Sequence, residues 1–340
     1  MNKSYNKNEA PAFLREFLDY MSTIKGRSGN TITSYFHDIK LFLRFLKVKN
    51  GLVDSNTFFE KIAVHDVEPD VIQKVELYDI LEFMHFLASE RKNTQKARAR
   101  RGVAIRQFFK YLTNNKHWFE KSPAQNLEMP RSKQPLPKSL SLEQSLNLLA
   151  DVRYEKEGWM GARDYCMLTF FLNCGMRLSE LVGLNLYDYK RDSAGEKGGD
   201  YIYYIKVLGK GNKERIIYLN SACVSAYDAY IEKRNELCLT NERLRFEKAL
   251  FISKRYTRIT PRRVEQILTD KLKSCELDGM GFSVHKLRHT AATLMYRNGV
   301  DVRVLKEVLG HENLGTTQIY THVANEQMRE AVNKNPLSKE

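Results

Sequence analysis

The chain has 340 residues, with 55 Lys and Arg against 41 Asp and Glu, a formal net charge of +14 at pH 7. That length buries one large core or two ordinary ones, and so positive a charge points to a polyanionic partner, nucleic acid before an anionic membrane surface. No apolar run reaches the roughly 20 residues needed to cross a bilayer, residues 1–7 lead into no signal-like segment, and the five cysteines are odd in number with no C-x-x-C pair, which argues against a disulfide framework and a zinc site. The expectation is a cytoplasmic, nucleoid-associated protein with reduced thiols and no membrane partner.

The N-terminal third reads as helices. Phe13, Leu14, Phe17, Leu18 and Met21 lie at helical spacing, as do Tyr35, Ile39, Phe42, Phe45 and Leu46 behind a cap around Asn30-Thr31. A third stripe runs through Leu77, Ile80, Leu81 and Met84, and a fourth through Ile105, Phe108, Phe109 and Leu112. Four such helices share one core as a small bundle. Residues 49–74 form a less regular excursion between the second and third.

The fourth helix is the most basic part of the chain. From Arg91 to Phe119 there is no acidic residue, while Arg91, Lys92, Lys96, Arg98, Arg100, Arg101, Arg106, Lys110 and Lys116 all occur. One face can carry this charge while the other buries aromatics. That arrangement suits a helix lying along DNA, where cations displace counterions from phosphates. Arg98, Arg100, Arg101 and Arg106 are the candidate DNA-binding residues.

Pro123, Pro130, Pro135 and Pro137, four of the eight prolines, cluster next. Proline at this density breaks helices and favours extended chain. The expected division is an N-terminal helical domain over residues 1–125, a linker over 126–138, and a second domain over 139–340. The second domain opens with helices. Tyr201-Ile202-Tyr203-Tyr204-Ile205 and Ile216-Ile217-Tyr218-Leu219 then read as a β-hairpin turning through Gly209-Lys210-Gly211-Asn212. Helices resume from about Ser221. The expected fold class is mainly α with a small β-sheet, α+β.

In the helix near 283–298, His285, Arg288 and His289 share one side, and Leu287, Ala291 and Leu294 the other. The expectation is that the apolar side packs and the polar side is presented. The helix near 301–309 packs through Val302, Leu305 and Leu309 and stops at Gly310, which places His311 just past its end. Together with Arg177, Lys210 and Tyr320, these residues describe a site for a phosphodiester: cations, proton donors and a phenol. Each has a plainer reading alone. Arg177 and Arg288 could be ion-pair partners, Lys210 a turn lysine with Lys213 as competitor, and Tyr320 is one of 18 tyrosines. The His285–His289 spacing suggests a metal pair, but the zincin pattern needs Glu after the first histidine and Lys286 stands there. No metal or cofactor is expected.

Arg177, His285 and Arg288 in H-x-L-R-H, His311 in L-G-H and Tyr320 resemble the catalytic signature of the tyrosine recombinases. Leu309-Gly310-His311 through Thr316-Thr317-Gln318-Ile319-Tyr320-Thr321-His322 resembles the Xer branch of that family. Gly209-Lys210-Gly211-Asn212-Lys213-Glu214-Arg215 resembles its lysine hairpin, and residues 100–112 resemble the last helix of its core-binding domain. The resemblance covers nearly the whole chain.

It implies that Tyr320 attacks the scissile phosphate, forming a 3′-phosphotyrosyl link and freeing a 5′-hydroxyl without ATP. His285 would accept the phenol's proton, and Arg177 and Arg288 would grip the non-bridging oxygens with planar forks. His311 would add a hydrogen bond, Lys210 would protonate the leaving oxygen, and Glu180 would orient Arg177. The implied partner is double-stranded DNA with paired inverted half-sites, bound by a homotetramer or a heterotetramer with a paralogue. A DNA translocase is a further implied activator, and the stripe Met328, Ala331, Val332 an implied inter-subunit helix. The implied task is resolving chromosome or plasmid dimers at a dif-like site. Integration or resolution of a mobile element, a DNA-binding protein that does not cleave, and a type IB topoisomerase stay open as alternatives. The excursion at 49–74 and the segment 190–200 are longer than the compact Xer pattern.

Overall fold

The computed structural model describes residues 6–54, 56–129, 138–155, 158–193, 201–208 and 214–310. The chain divides into two compact units, Met1–Gln134 and Pro135–Glu340.

The first unit is helical: α1 (Ala12–Thr23), α2 (Gly29–Lys49), α3 (Pro69–Gln73), α4 (Leu77–Ser89) and α5 (Gln95–Asn114). α1 buries Phe13, Leu14, Phe17, Leu18 and Met21, the stripe its spacing predicts. α2 begins earlier than expected. Its cap is Ser28, whose hydroxyl accepts the Thr31 N–H, rather than Asn30-Thr31. α4 buries Ile80, Phe83 and Leu87, and Leu77 and Met84 pack partly buried against the same core, so of the predicted stripe only Leu81, 47% exposed, faces away. The inward ridge follows an i, i+3, i+7 path, and Leu81 lies one step round the helix from it.

The core of this unit is aromatic. Phe17 meets Phe108 edge-on at 5.4 Å and Phe42 meets Phe83 at 5.1 Å. Contacts of this kind contribute about 0.5–1.5 kcal/mol each beyond area burial. The excursion joins this core through Val64, Val67 and Ile72. Gly102 lets α5 approach the chain after it, since a Cβ there would stand 2.5 Å from the Met129 sulfur.

The second unit carries α6 (Leu142–Glu155), α7 (Trp159–Cys174), α8 (Leu178–Gly183), β1 (Tyr189–Ser193), β2 (Tyr201–Leu208), β3 (Glu214–Tyr218), α9 (Ser221–Thr240), α10 (Glu242–Arg245), α11 (Pro261–Ser274), α12 (Val284–Arg297) and α13 (Val302–Leu309). α7 is buried nearly all round, with Cys166, Met167, Leu168, Phe170 and Phe171 inside, as befits a helix at the centre of a core. It packs against α6, α9 and α12. The sheet is antiparallel in the order β1-β2-β3, with Ile205 paired to both Tyr189 and Ile217. Ile205, Val207 and Ile217 face the core. The fold is therefore mainly helical with one small sheet. Among the described residues, no helix is long and apolar enough to cross a membrane.

Candidate active site

The candidate site grows from three chain reversals in the second unit. The first follows α7. Gly175 caps it in the left-handed conformation, at φ 60°, its N–H bonded to the Phe171 carbonyl. A Cβ on Gly175 would meet the Leu309 Cδ2 at 2.8 Å, so glycine is required here for both backbone angle and space. Arg177 then stands in extended conformation at the N-cap of α8. Glu180, in the first turn of α8, accepts the Arg177 amide at 2.8 Å and its Nη1 at 2.7 Å.

The second reversal is the C-terminus of α13. Gly310 closes that helix at φ 62°. Its last carbonyls are left without helical partners, and three arginines from three other elements satisfy them. Arg215, in β3, donates to Val308 at 2.6 Å, and Arg177 donates to Gly310 at 2.7 Å. Arg288 on α12 donates to Leu309. Arg288 also donates to the Gly175 carbonyl at 2.6 Å, which joins the two reversals.

The third reversal leads into α12. His285 is exposed on its first turn and His289 is half-buried, their rings edge-to-face with centroids 4.7 Å apart. Arg288 departs from expectation. It is only 2% exposed, and Thr290, Ala292 and Thr293 are buried with it. The predicted packed side holds at Leu287 and Ala291, whereas of the predicted presented side only His285 is exposed. α12 is buried over most of its circumference, because the backbone carbonyls of α7 and α13 supply partners that let a guanidinium go inside. A cleft of about 390 Å³ opens between the starts of α8, α11 and α12, lined in part by Arg177, Ser179, Glu265, Ser283, His285 and Arg288.

The electrostatics follow from this packing. Burial would raise the Glu180 carboxyl, but hydrogen bonds from Arg215 and from the Arg177 amide, with the charge of Arg215, hold it below the ordinary carboxylate range. Burial first, then electrostatic interaction with His285, Arg288 and Lys286, pushes His289 down to about 4. His289 is thus neutral at physiological pH.

Arg177, Glu180, His285 and Arg288 are brought together. Lys210, His311 and Tyr320, with the Met328, Ala331, Val332 stripe and most of the proline cluster, lie outside the described residues. Arg215 went unremarked in the sequence except as the last letter of the lysine-hairpin stretch. Its signal is a lone cation at the start of a strand. The α5 arginines stand in the other unit. Arg100 grips the buried Asp38 with both Nη atoms, one at 2.7 Å. Arg101 reaches Asn93, and Arg106 donates to the Leu127 carbonyl. Arg98 is half-buried, its Nε without a hydrogen-bond partner.

Comparison with known proteins agrees with this picture. The phage integrase family matches residues 138–327, and its N-terminal SAM-like domain matches residues 14–116. The chain belongs to the phage integrase family: it is a tyrosine recombinase, a site-specific DNA-cleaving and rejoining enzyme. A tyrosine recombinase XerC from Caldanaerobacter subterraneus is 46% identical over 331 residues, 97% of this chain and 88% of that protein. A XerD from Caulobacter vibrioides is 32% identical, covering 98% of this chain and 99% of its own. The fold is shared with the XerH recombinase solved on a palindromic difH substrate, at TM-score 0.67 and 18% identity, over 98% of this chain and 99% of that one. It is shared also with the Tn1549 transposon integrase solved on transposon-end DNA, at TM-score 0.64 and 16% identity, over 96% and 99% of the two chains.

Proposed function

We propose that the chain resolves chromosome or plasmid dimers at a dif-like DNA site, with Tyr320 as nucleophile and Arg177, Lys210, His285, Arg288 and His311 as the catalytic set. The supporting observation is convergence: Arg177 and Arg288, from different elements, meet on adjacent carbonyls at the end of α13 and line one cleft with His285. Two planar guanidiniums placed there suit the non-bridging oxygens of a phosphate, and their charge acts most as negative charge builds in the transition state. A phenol of ordinary pKa about 10 must lose its proton during attack, and the exposed His285 imidazole is the acceptor. Lys210 returns a proton to the leaving 5′-oxygen, and His311 adds a hydrogen bond to the phosphate. Glu180 orients Arg177.

In this reading the working division is residues 1–125 as core-binding domain, 126–138 as linker and 139–340 as catalytic domain. Both domains bind double-stranded DNA at paired inverted half-sites. Four subunits assemble on it, of one kind or with a paralogue, and a DNA translocase activates them. The long similarity to proteins named XerC and XerD favours this task over mobile-element integration.

The test is a nicked suicide duplex carrying a dif-like site, read as a protein–DNA adduct that survives SDS. Wild type should form the adduct and Tyr320→Phe should form none. Tight, specific binding without any adduct on the native site would reassign the protein to binding alone.

A further inference from the structure

We propose that Arg215 is a positioning residue of this reaction: it neutralises Glu180, so that Arg177 keeps its positive charge for the scissile phosphate, and it fixes the end of α13. The proposal rests on the reading of Arg177 and Tyr320 given above.

The Glu180 side chain is 1% exposed and receives two guanidiniums. Arg177 Nη1 lies at 2.7 Å, and Arg215 reaches it at 2.8 Å through Nη2 and 3.3 Å through Nε. A buried carboxylate with one arginine is a closed neutral pair. With two, the group carries one net positive charge. That charge is not shared evenly with the outside. The Arg215 side chain is 14% exposed and does not line the cleft, whereas Arg177 is 32% exposed and does. Arg215 therefore supplies the inner counter-charge, and Arg177 is left to face the phosphate.

The same guanidinium performs a second task. Its Nη1 donates to the Val308 carbonyl at 2.6 Å, and a Cβ on Gly310 would stand 2.9 Å from the Arg215 Cδ. Arg215, five residues after Lys210, thus ties β3 to Val308 in the last turn of α13, three residues before His311. One side chain links the Arg177–Glu180 pair to β3 and to the last turn of α13.

The experiment measures adduct formation on the suicide duplex by full-length wild type, Arg215→Gln, Arg215→Lys and the double variant Arg215→Gln/Glu180→Gln. Arg215→Gln should slow cleavage by about 10–100-fold, below or at the low end of what losing a direct oxyanion donor costs, with duplex affinity within about threefold of wild type. The double variant deletes both inner charges, restores the net charge at Arg177, and should cleave faster than Arg215→Gln. Arg215→Lys, which keeps charge without the fork, should fall between Arg215→Gln and wild type. A duplex with a methylphosphonate at the scissile position separates charge from shape. There the deficit of Arg215→Gln should shrink, because the neutral phosphonate asks less of Arg177. An equal deficit on both duplexes, or a double variant no better than Arg215→Gln, would leave Arg215 as ordinary packing and overturn the proposal. If Arg215→Gln does not fold, the phosphonate comparison on the double variant and Arg215→Lys decides in the same way. Wild type without adduct would overturn the reading of the site itself, whereas an active wild type with an equally active Arg215→Gln sinks only the inference.

Discussion

At the scale of single residues, the site is built from groups that would be costly elsewhere. His289 is the clearest case. Its folded pKa falls from 6.5 to about 4, chiefly through burial. Between those values the unfolded chain binds the proton and the folded chain does not, so stability rises with pH through that window and falls as the pH drops from 6.5 towards 4. His289→Gln removes this proton uptake. Urea midpoints at pH 7.5, 6 and 5 should therefore decline less steeply for the variant than for wild type. Parallel declines would mean that the imidazole titrates alike in both states. Glu180, whose pKa is lowered, loses its stabilising effect only as the pH falls through the carboxylate range, and the comparison with the variant cancels it. Gly175 is the backbone counterpart. Gly175→Ala at φ 60° forces a Cβ to 2.8 Å from Leu309. Left-handed strain plus overpacking should lower unfolding free energy by about 2–4 kcal/mol, measured by urea denaturation, with adduct formation falling alongside because the Gly175 carbonyl holds Arg288.

At the scale of elements, α5 shows why a basic helix is not simply a row of DNA contacts. Arg100 spans to Asp38 on α2, a carboxylate 2% exposed that burial lifts above its usual range against the pull of Arg100 and Arg101. The pair is asymmetric. Arg100→Ala leaves a buried acid with Arg101 at 3.5 Å as its remaining ion-pair partner, and should cost roughly 2–3 kcal/mol, somewhat below a fully buried broken pair. Asp38→Ala lets Arg100, whose side chain is 51% exposed, turn to water and should cost less. Thermal melts of the two variants decide the order, and a reversed order would move the strain to the arginines. Much of this architecture was legible in the sequence. The stripes of α1 and α5 name their buried residues because aromatic side chains at helical spacing have one way to hide. β1 was not legible: Tyr189-Lys190-Arg191-Asp192-Ser193 is a largely exposed edge strand, defined by pairing with β2 rather than by apolar alternation. Nor could burial of Arg288 be read locally, since its partners are carbonyls 113 and 21 residues away. The cations Arg177 and Arg288 were singled out through the resemblance of their motifs to a family signature, whereas the role of Arg215 depends on a helix end 93 residues distant.

At the scale of the whole molecule, charge is sorted along the chain. Residues 49–90 hold nine acids and three lysines, a formal −6, while residues 91–119 hold nine bases and no acid, a formal +9, in a chain that totals +14. Electrostatics alone favours a polyanion beside the second stretch over the first. Within the second stretch not every cation is equally available. Lys96 and Lys110 are exposed on α5, whereas Arg100 is committed to Asp38 and Arg106 to the Leu127 carbonyl. Each phosphate contact releases condensed counterions and steepens the dependence of log affinity on log salt by about 0.9. Lys96→Gln with Lys110→Gln should therefore flatten that slope by up to about 1.8 and weaken all duplexes alike, because phosphates carry no sequence. Arg106→Gln should change the slope little and act instead through stability, since it removes a bond to a carbonyl rather than a mobile charge. Binding isotherms at four salt concentrations, on specific and scrambled duplexes, measure both. An unchanged slope in the lysine pair would take DNA off this face of α5. A slope flattened equally by Arg106→Gln would mean that the guanidinium leaves Leu127 when DNA arrives.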